Sequence, residues 1–200
     1  MGGVDGPRRS GLRYVALGRG RSKEEENFLL CEKGTPVAFG KLFKGRGSLR
    51  PWVEAYILLG EFQDEWKWAA SARAERIMRT LVKMLPLGGR IMLPYAHLPT
   101  TARLLERGFP PPLTPLGMLM LRYGLTSFKD WYFAEGFYEG DVKLQGEIPE
   151  SLDMAQARLA RLASECESFI EKEQIDREAQ VLEALAFIER MKMALTQSVK

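Results

Sequence analysis

Chemistry-bearing residues are scarce in this chain: 200 residues include one histidine and two cysteines. Cys31 and Cys166 are far apart and in no metal-ligand or C-x-x-C spacing, so they read as buried thiols rather than a redox pair. His97 alone cannot supply a zinc site of the usual kind, and no metal is expected. Long apolar runs are missing as well. None approaches the roughly 18 residues of a transmembrane helix, and charges stand where a secretory signal needs its apolar segment. The expectation is a cytoplasmic protein without membrane contact. Helix breakers also run out, because no glycine or proline follows Pro149.

What is present is enough for a buried core. Hydrophobic residues make up 46% and charged residues 28%, which excludes full disorder. The net charge of +3 conceals an asymmetry. Residues 1–50 hold 11 Lys/Arg against 5 Asp/Glu, whereas 51–150 hold 11 against 12 and 151–200 hold 7 against 9. The basic quarter contains two echoing segments, Gly18-Arg19-Gly20-Arg21-Ser22 and Lys44-Gly45-Arg46-Gly47-Ser48. Glycine permits close backbone approach to an anion and arginine supplies forked donors, so either segment fits a phosphate or nucleic acid. A solvated turn has the same composition.

Periodicity orders the middle of the chain. Asn27–Glu32 and Thr35–Phe43 are apolar runs joined by Lys33-Gly34, a hairpin signature, and Leu12–Leu17 reads as a short strand before them. Trp52–Leu59 is a further strand. Asp64–Leu85 lacks glycine and proline and repeats Trp66, Ala70, Ala74, Ile77, Leu81 and Leu85 at helical spacing. Arg90–Tyr95 reads as a buried strand and Pro99–Arg107 as a short helix stopped by Gly108. A strand, a helix and a strand in succession imply parallel pairing of Trp52–Leu59 with Arg90–Tyr95.

The expected class is therefore α/β (α+β): a mixed, mostly antiparallel sheet with packing helices, spanning 1–149, and a helical appendage over 150–200. In that tail Leu159, Leu162, Cys166, Phe169 and Ile170, then Leu182, Leu185, Ile188 and Leu195, recur at near-heptad spacing. Either a helical hairpin or one long helix fits. The stripe covers the chain's own domain or a second copy, and a homodimer through these helices is the favoured expectation.

This order of elements, closed by Thr101-Ala102-Arg103-Leu104-Leu105-Glu106-Arg107-Gly108-Phe109, resembles the GNAT superfamily of N-acyltransferases over about 80 residues. The resemblance implies transfer of an acyl group from acetyl-CoA or another acyl-CoA to a small-molecule amine. It also implies a pantetheine arm between two splayed parallel strands, and a pyrophosphate on backbone amides ahead of the first helix. In this chain those amides fall at Ser71, Ala72 and Arg73, behind a stretch with no glycine, two tryptophans and three acids (Glu61 to Trp68). Leu104 or Leu105 stands where the family's proton-donating tyrosine is common. The resemblance places the general base on the strand before the helix, at Glu54 or, just beyond it, Glu61; Tyr95 and His97 follow the next parallel strand on the ligand-binding side of an open sheet. Each has an ordinary packing or surface role as its alternative. A non-catalytic binding module on the same scaffold is the second reading. A third comes from Met84–Met92, which resembles the helix-to-strand turn of S-adenosylmethionine-dependent methyltransferases.

Phe128–Gly140 packs six aromatics into thirteen positions. They either complete the sheet or form a pocket wall in which Trp131, Tyr132 and Tyr138 stack on a ligand oriented by Lys129. The surrounding span GLTSFKDWYFAEGFYEGDVKLQG resembles the signature of a small, mainly archaeal domain family with no assigned function. Its acidic balance argues against single-stranded nucleic acid, leaving the basic N-terminal quarter as the nucleic-acid candidate.

Overall fold

A computed structural model of the chain describes residues 11–60, 62–132, 142–173 and 186–190. Seven strands form one sheet: β1 (Arg13–Arg19), β2 (Glu25–Glu32), β3 (Thr35–Phe43), β4 (Trp52–Ile57), β5 (Arg90–Pro94), β6 (Ser127–Tyr132) and β7 (Val142–Glu147). Their spatial order is β1-β2-β3-β4-β5-β7-β6, antiparallel throughout except for the parallel β4–β5 pair. The β2–β3 hairpin turns at Lys33 and Gly34 with φ of 51° and 86°, the double positive φ of a two-residue turn that matches strand twist.

The helix expected over Asp64–Leu85 is two helices, α1 (Glu65–Ala69) and α2 (Ala72–Lys83). Ser71 divides them. Its backbone is extended and its hydroxyl accepts the Ala74 N–H at 3.2 Å, so the side chain starts a new helix instead of continuing the old one. Asp64 caps α1 in the same way, accepting from the amides of Trp66 and Lys67. Three more helices follow: α3 (Pro99–Glu106), α4 (Pro115–Arg122) and α5 (Leu152–Glu173).

Alternation along β4 sets the two faces of the sheet. Val53, Ala55 and Ile57 are buried in a core shared with Trp68 and with Ile77, Met78 and Leu81 of α2. Trp52, Glu54 and Tyr56 face the other way. Directly paired residues share a face, so register lays Asn27, Lys41, Glu54, Met92, Gln145 and Lys129 in one row across that second face. Helix α4 is buried from Pro115 to Leu121 and separates the main core from a second cluster. There Leu159, Leu162, Cys166 and Ile170 of α5 meet Phe109, Leu113, Met118 and Leu121, joined by Ile188 from the helical residues 186–190. The α5 stripe is thus used within the chain; Leu182, Leu185 and Leu195 lie outside the described residues. Burial, followed by Glu165 and Glu167, pushes the Cys166 thiol up to about 12. Among the described residues no helix is long and apolar enough to cross a membrane.

Two features give direct stability predictions. A Cβ on Gly117 would lie 1.9 Å from the Pro111 carbonyl oxygen, a backbone atom that cannot swing aside. Gly117→Ala is expected to destabilise by about 2 kcal/mol in urea unfolding despite alanine's better helix propensity. On the sheet, Arg76 and Arg73 both donate to Glu32, Arg73 Nε at 2.9 Å. The Arg76 hydrogen bond foremost, then Arg73, holds the Glu32 carboxyl below its usual range against burial. A lowered carboxyl adds stability above the ordinary carboxylate range and loses it as pH falls through the lower folded value. Glu32→Gln is therefore expected to flatten the acid limb of the melting temperature against pH.

Candidate functional site

Strands β4 and β5 are paired at three positions only, Trp52 with Arg90, Val53 with Ile91 and Glu54 with Met92. Beyond Glu54 they part, and a cleft of about 400 Å³ opens, lined by Phe39, Tyr56, Ile57, Pro94, Ala96 and His97. Leu58 N–H donates to Val37 O on β3 at 3.0 Å, so strand alternation turns the N–H and C=O of Ile57 into the gap. His97 Nε2 lies 3.1 Å from Ile57 O and bridges the mouth from the β5 side. The floor is aromatic, because Phe39 and Tyr56 stack with centroids 5.1 Å apart and planes 5° off parallel.

The same two rings border a second cavity of about 350 Å³ on the sheet face, reached by Leu17, Asn27, Lys41 and Glu54. Glu54 is the last paired residue before the strands part. Its carboxylate accepts from Lys143 Nζ at 2.6 Å, and that ammonium, projecting from β7 across β5, is 1% exposed. Burial lowers the Lys41 pKa, and the negative charge of Glu54 opposes that shift. A carboxylate flanked by two cations next to an aromatic-floored cleft can orient a polar group and accept a proton.

The other expected site residues are distributed differently. Tyr95 is buried in the main core with its N–H on Val142 O at 3.2 Å, whereas His97 is exposed at the cleft mouth. Ser71 caps α2, Ala72 is exposed and Arg73 is committed to Glu32. Glu61 and Tyr138 lie outside the described residues. Trp131 and Tyr132 continue edge strand β6, where Trp131 is registered opposite Lys143 and Tyr132 opposite Val142. Lys129 lines a separate cavity of about 330 Å³ against α5, with Arg158 and Glu165. The Gly88–Gly89 turn is tied to the end of β7: Gly88 N donates to Ile148 O and Ile148 N to Gly89 O. It serves there as the turn into β5, pinned to the end of β7.

Sequence reasoning missed Lys143, Phe39, Tyr56 and Lys41. The partner of Lys143 is 89 residues away, so no local spacing announces it. Phe39 and Tyr56 signal only strand propensity until pairing stacks them.

Residues 8–173 match the model of a family described as protein of unknown function (DUF1122). The fold is similar to the crystal structure of a protein of unknown function, AQ1966, from Aquifex aeolicus VF5. That chain is 32% identical, with a TM-score of 0.70 over 90% of this chain and 91% of the other. No curated protein matches the sequence. With the match spanning most of its length, the chain belongs to the DUF1122 family.

Proposed function

We propose that this protein is an acyltransferase of GNAT-like build that takes an acyl-CoA as donor and a small-molecule amine as acceptor. One observation carries the reading: β4 and β5 pair in parallel for three residues and then part over an open, largely apolar cleft edged by the Ile57 backbone. A pantetheine arm has amides that suit a strand edge and an aliphatic stem that suits Phe39 and Tyr56. In the reaction the neutral amine nitrogen forms a bond to the thioester carbonyl, the carbon–sulfur bond breaks with its electron pair leaving on sulfur as the coenzyme A thiolate, and the proton lost by the amine passes to the Glu54 carboxylate. Tyr56 and His97 position the reactants at the mouth.

The arm fits; the usual pyrophosphate grip does not. Helix α1 stands where a glycine-rich loop would lie, and Asp64 already takes the amides of Trp66 and Lys67. That observation favours a second reading, in which the cleft holds a ligand without turnover. Melting curves separate the two readings. Acetyl-CoA is expected to raise the Tm by a few degrees, as a ligand near 100-fold its Kd adds about 2.7 kcal/mol, and Tyr56→Ala should erase the shift. No shift with any acyl-CoA would leave the binding-module reading alone.

A further inference from the structure

The two echoing Gly/Arg segments meet at the end of the sheet remote from the cleft mouth. Gly20 N donates to Glu25 O at 2.9 Å and Lys44 N to Glu24 O at 3.0 Å, so adjacent backbone carbonyls at the start of β2 hold both. The second segment is closed by Arg46 and Leu49, which exchange backbone hydrogen bonds of 3.2 and 2.9 Å. Its glycines permit the turn: Gly45 has φ 86° with the Pro51 ring 3.1 Å from where a Cβ would stand, and Gly47 has φ 57°. Beneath this turn lies a cavity of about 330 Å³ lined by Phe43, Ser48, Arg50, Trp52 and Arg90 together with Glu25.

Its wall is flat and aromatic, with the Phe43 and Trp52 rings stacked at 5.6 Å and 23°. Its charge is uncompensated at one point. Register puts Glu147 directly opposite Arg90, yet Glu147 Oε1 is taken by Arg158 at 2.9 Å and Arg50 at 3.4 Å. Glu25, the acid in the lining, turns one carboxylate oxygen to the backbone N–H of Arg21 at 2.9 Å, and Arg50 is held by Glu150 at 2.7 Å. Among the described residues Arg90 has no ion-pair partner, and its Nε is shielded from water without a hydrogen bond. A guanidinium both partly dehydrated and unpaired is costly, and an anion at its head relieves that cost.

We infer that this cavity binds a small anion carrying a planar ring, the ring stacked on Trp52 and Phe43 and the phosphate or carboxylate held by Arg90 with Ser48. Arg90 supplies the charge, and Ser48, delivered by the Gly/Arg turn, supplies a hydroxyl. The site is independent of the β4–β5 cleft and of any acyl transfer there.

Calorimetric titration of the full chain tests it with a nucleoside monophosphate, benzoate, the uncharged nucleoside and inorganic phosphate as separate probes. At least one ring-bearing anion is expected to bind, with the uncharged nucleoside and phosphate weaker by about tenfold or more. Which of the two anions wins assigns the group as a phosphate ester or a carboxylate. Arg90→Gln and Trp52→Leu should each weaken that binding by about tenfold or more, with unchanged circular dichroism. If Arg90→Gln does not fold, Arg90→Lys carries the test, since it keeps the charge and loses the fork. No binding of either ring-bearing anion overturns the inference. So does binding indifferent to both substitutions, or phosphate alone binding as tightly as the ring-bearing anions.

Discussion

Lys143→Ala lowers the stability of the fold by about 3–5 kcal/mol, because it leaves the Glu54 carboxylate without the ammonium it faces. The two side chains are 1% and 12% exposed and 2.6 Å apart, so water cannot replace the lost partner at low cost. The pair reaches across β5 from β7 to β4 just where β4 and β5 part, so it also ties the strands on either side of the cleft. Removing both charges has a different outcome. A Lys143→Met, Glu54→Leu double variant should recover most of the loss, since apolar replacement of a buried pair is often near neutral. Urea unfolding of the two singles and the double gives the coupling. Full stability in a Lys143→Met single variant, with Glu54 unchanged, would mean that the lysine stem, not the pair, matters.

A second large loss is expected at Glu65, a carboxylate only 3% exposed. It accepts the backbone N–H of Thr100 at 2.5 Å and of Thr101 at 2.9 Å, and the Thr101 hydroxyl at 2.7 Å. These are the first-turn amides of α3, and the residue before that helix, Leu98, has no side-chain cap. Glu65, delivered by α1, therefore acts as the missing cap and sits at the positive end of α3. Glu65→Ala strands three buried donors and is expected to cost about 3 kcal/mol or more. Glu65→Gln, which keeps one acceptor oxygen, should lose roughly half of that. Hydrogen exchange localises the effect: the α3 amides should open first in Glu65→Ala. Uniform opening across the sheet would instead place the role of Glu65 elsewhere.

These two pairs explain why the fold was more legible in the sequence than the site. Strands, hairpin and helices follow from local periods: Lys33-Gly34 dictates its turn, and the Ala74–Leu81 part of the stripe dictates the buried face of α2, whereas Ala70 is exposed and α1 buries Trp68 and Ala69. Even the break in that helix was locally written, in Ser71, but a serine within an otherwise continuous stripe is easily read as an exposed position. Glu54 and His97 stood out because β4, which holds the first, and β5, which precedes the second, were identifiable. Lys143, whose importance rests on a partner 89 residues away, did not stand out; nor did Glu65, whose donors are 35 and 36 residues on. The two Gly/Arg segments were visible as echoes. That they converge on Glu24 and Glu25 follows only from the β1–β2–β3 register.

On the proposed function, the gap between β4 and β5 receives a ligand. The most direct measurement is a nuclear magnetic resonance titration of the full chain with acetyl-CoA, following the backbone amide of Ile57 and the ring of His97. Both signals should shift together and saturate, as the ligand's amides take up the Ile57 edge and displace the His97 bridge. Signals from Ile57 and His97 that stay fixed while acetyl-CoA reaches millimolar concentration would contradict it.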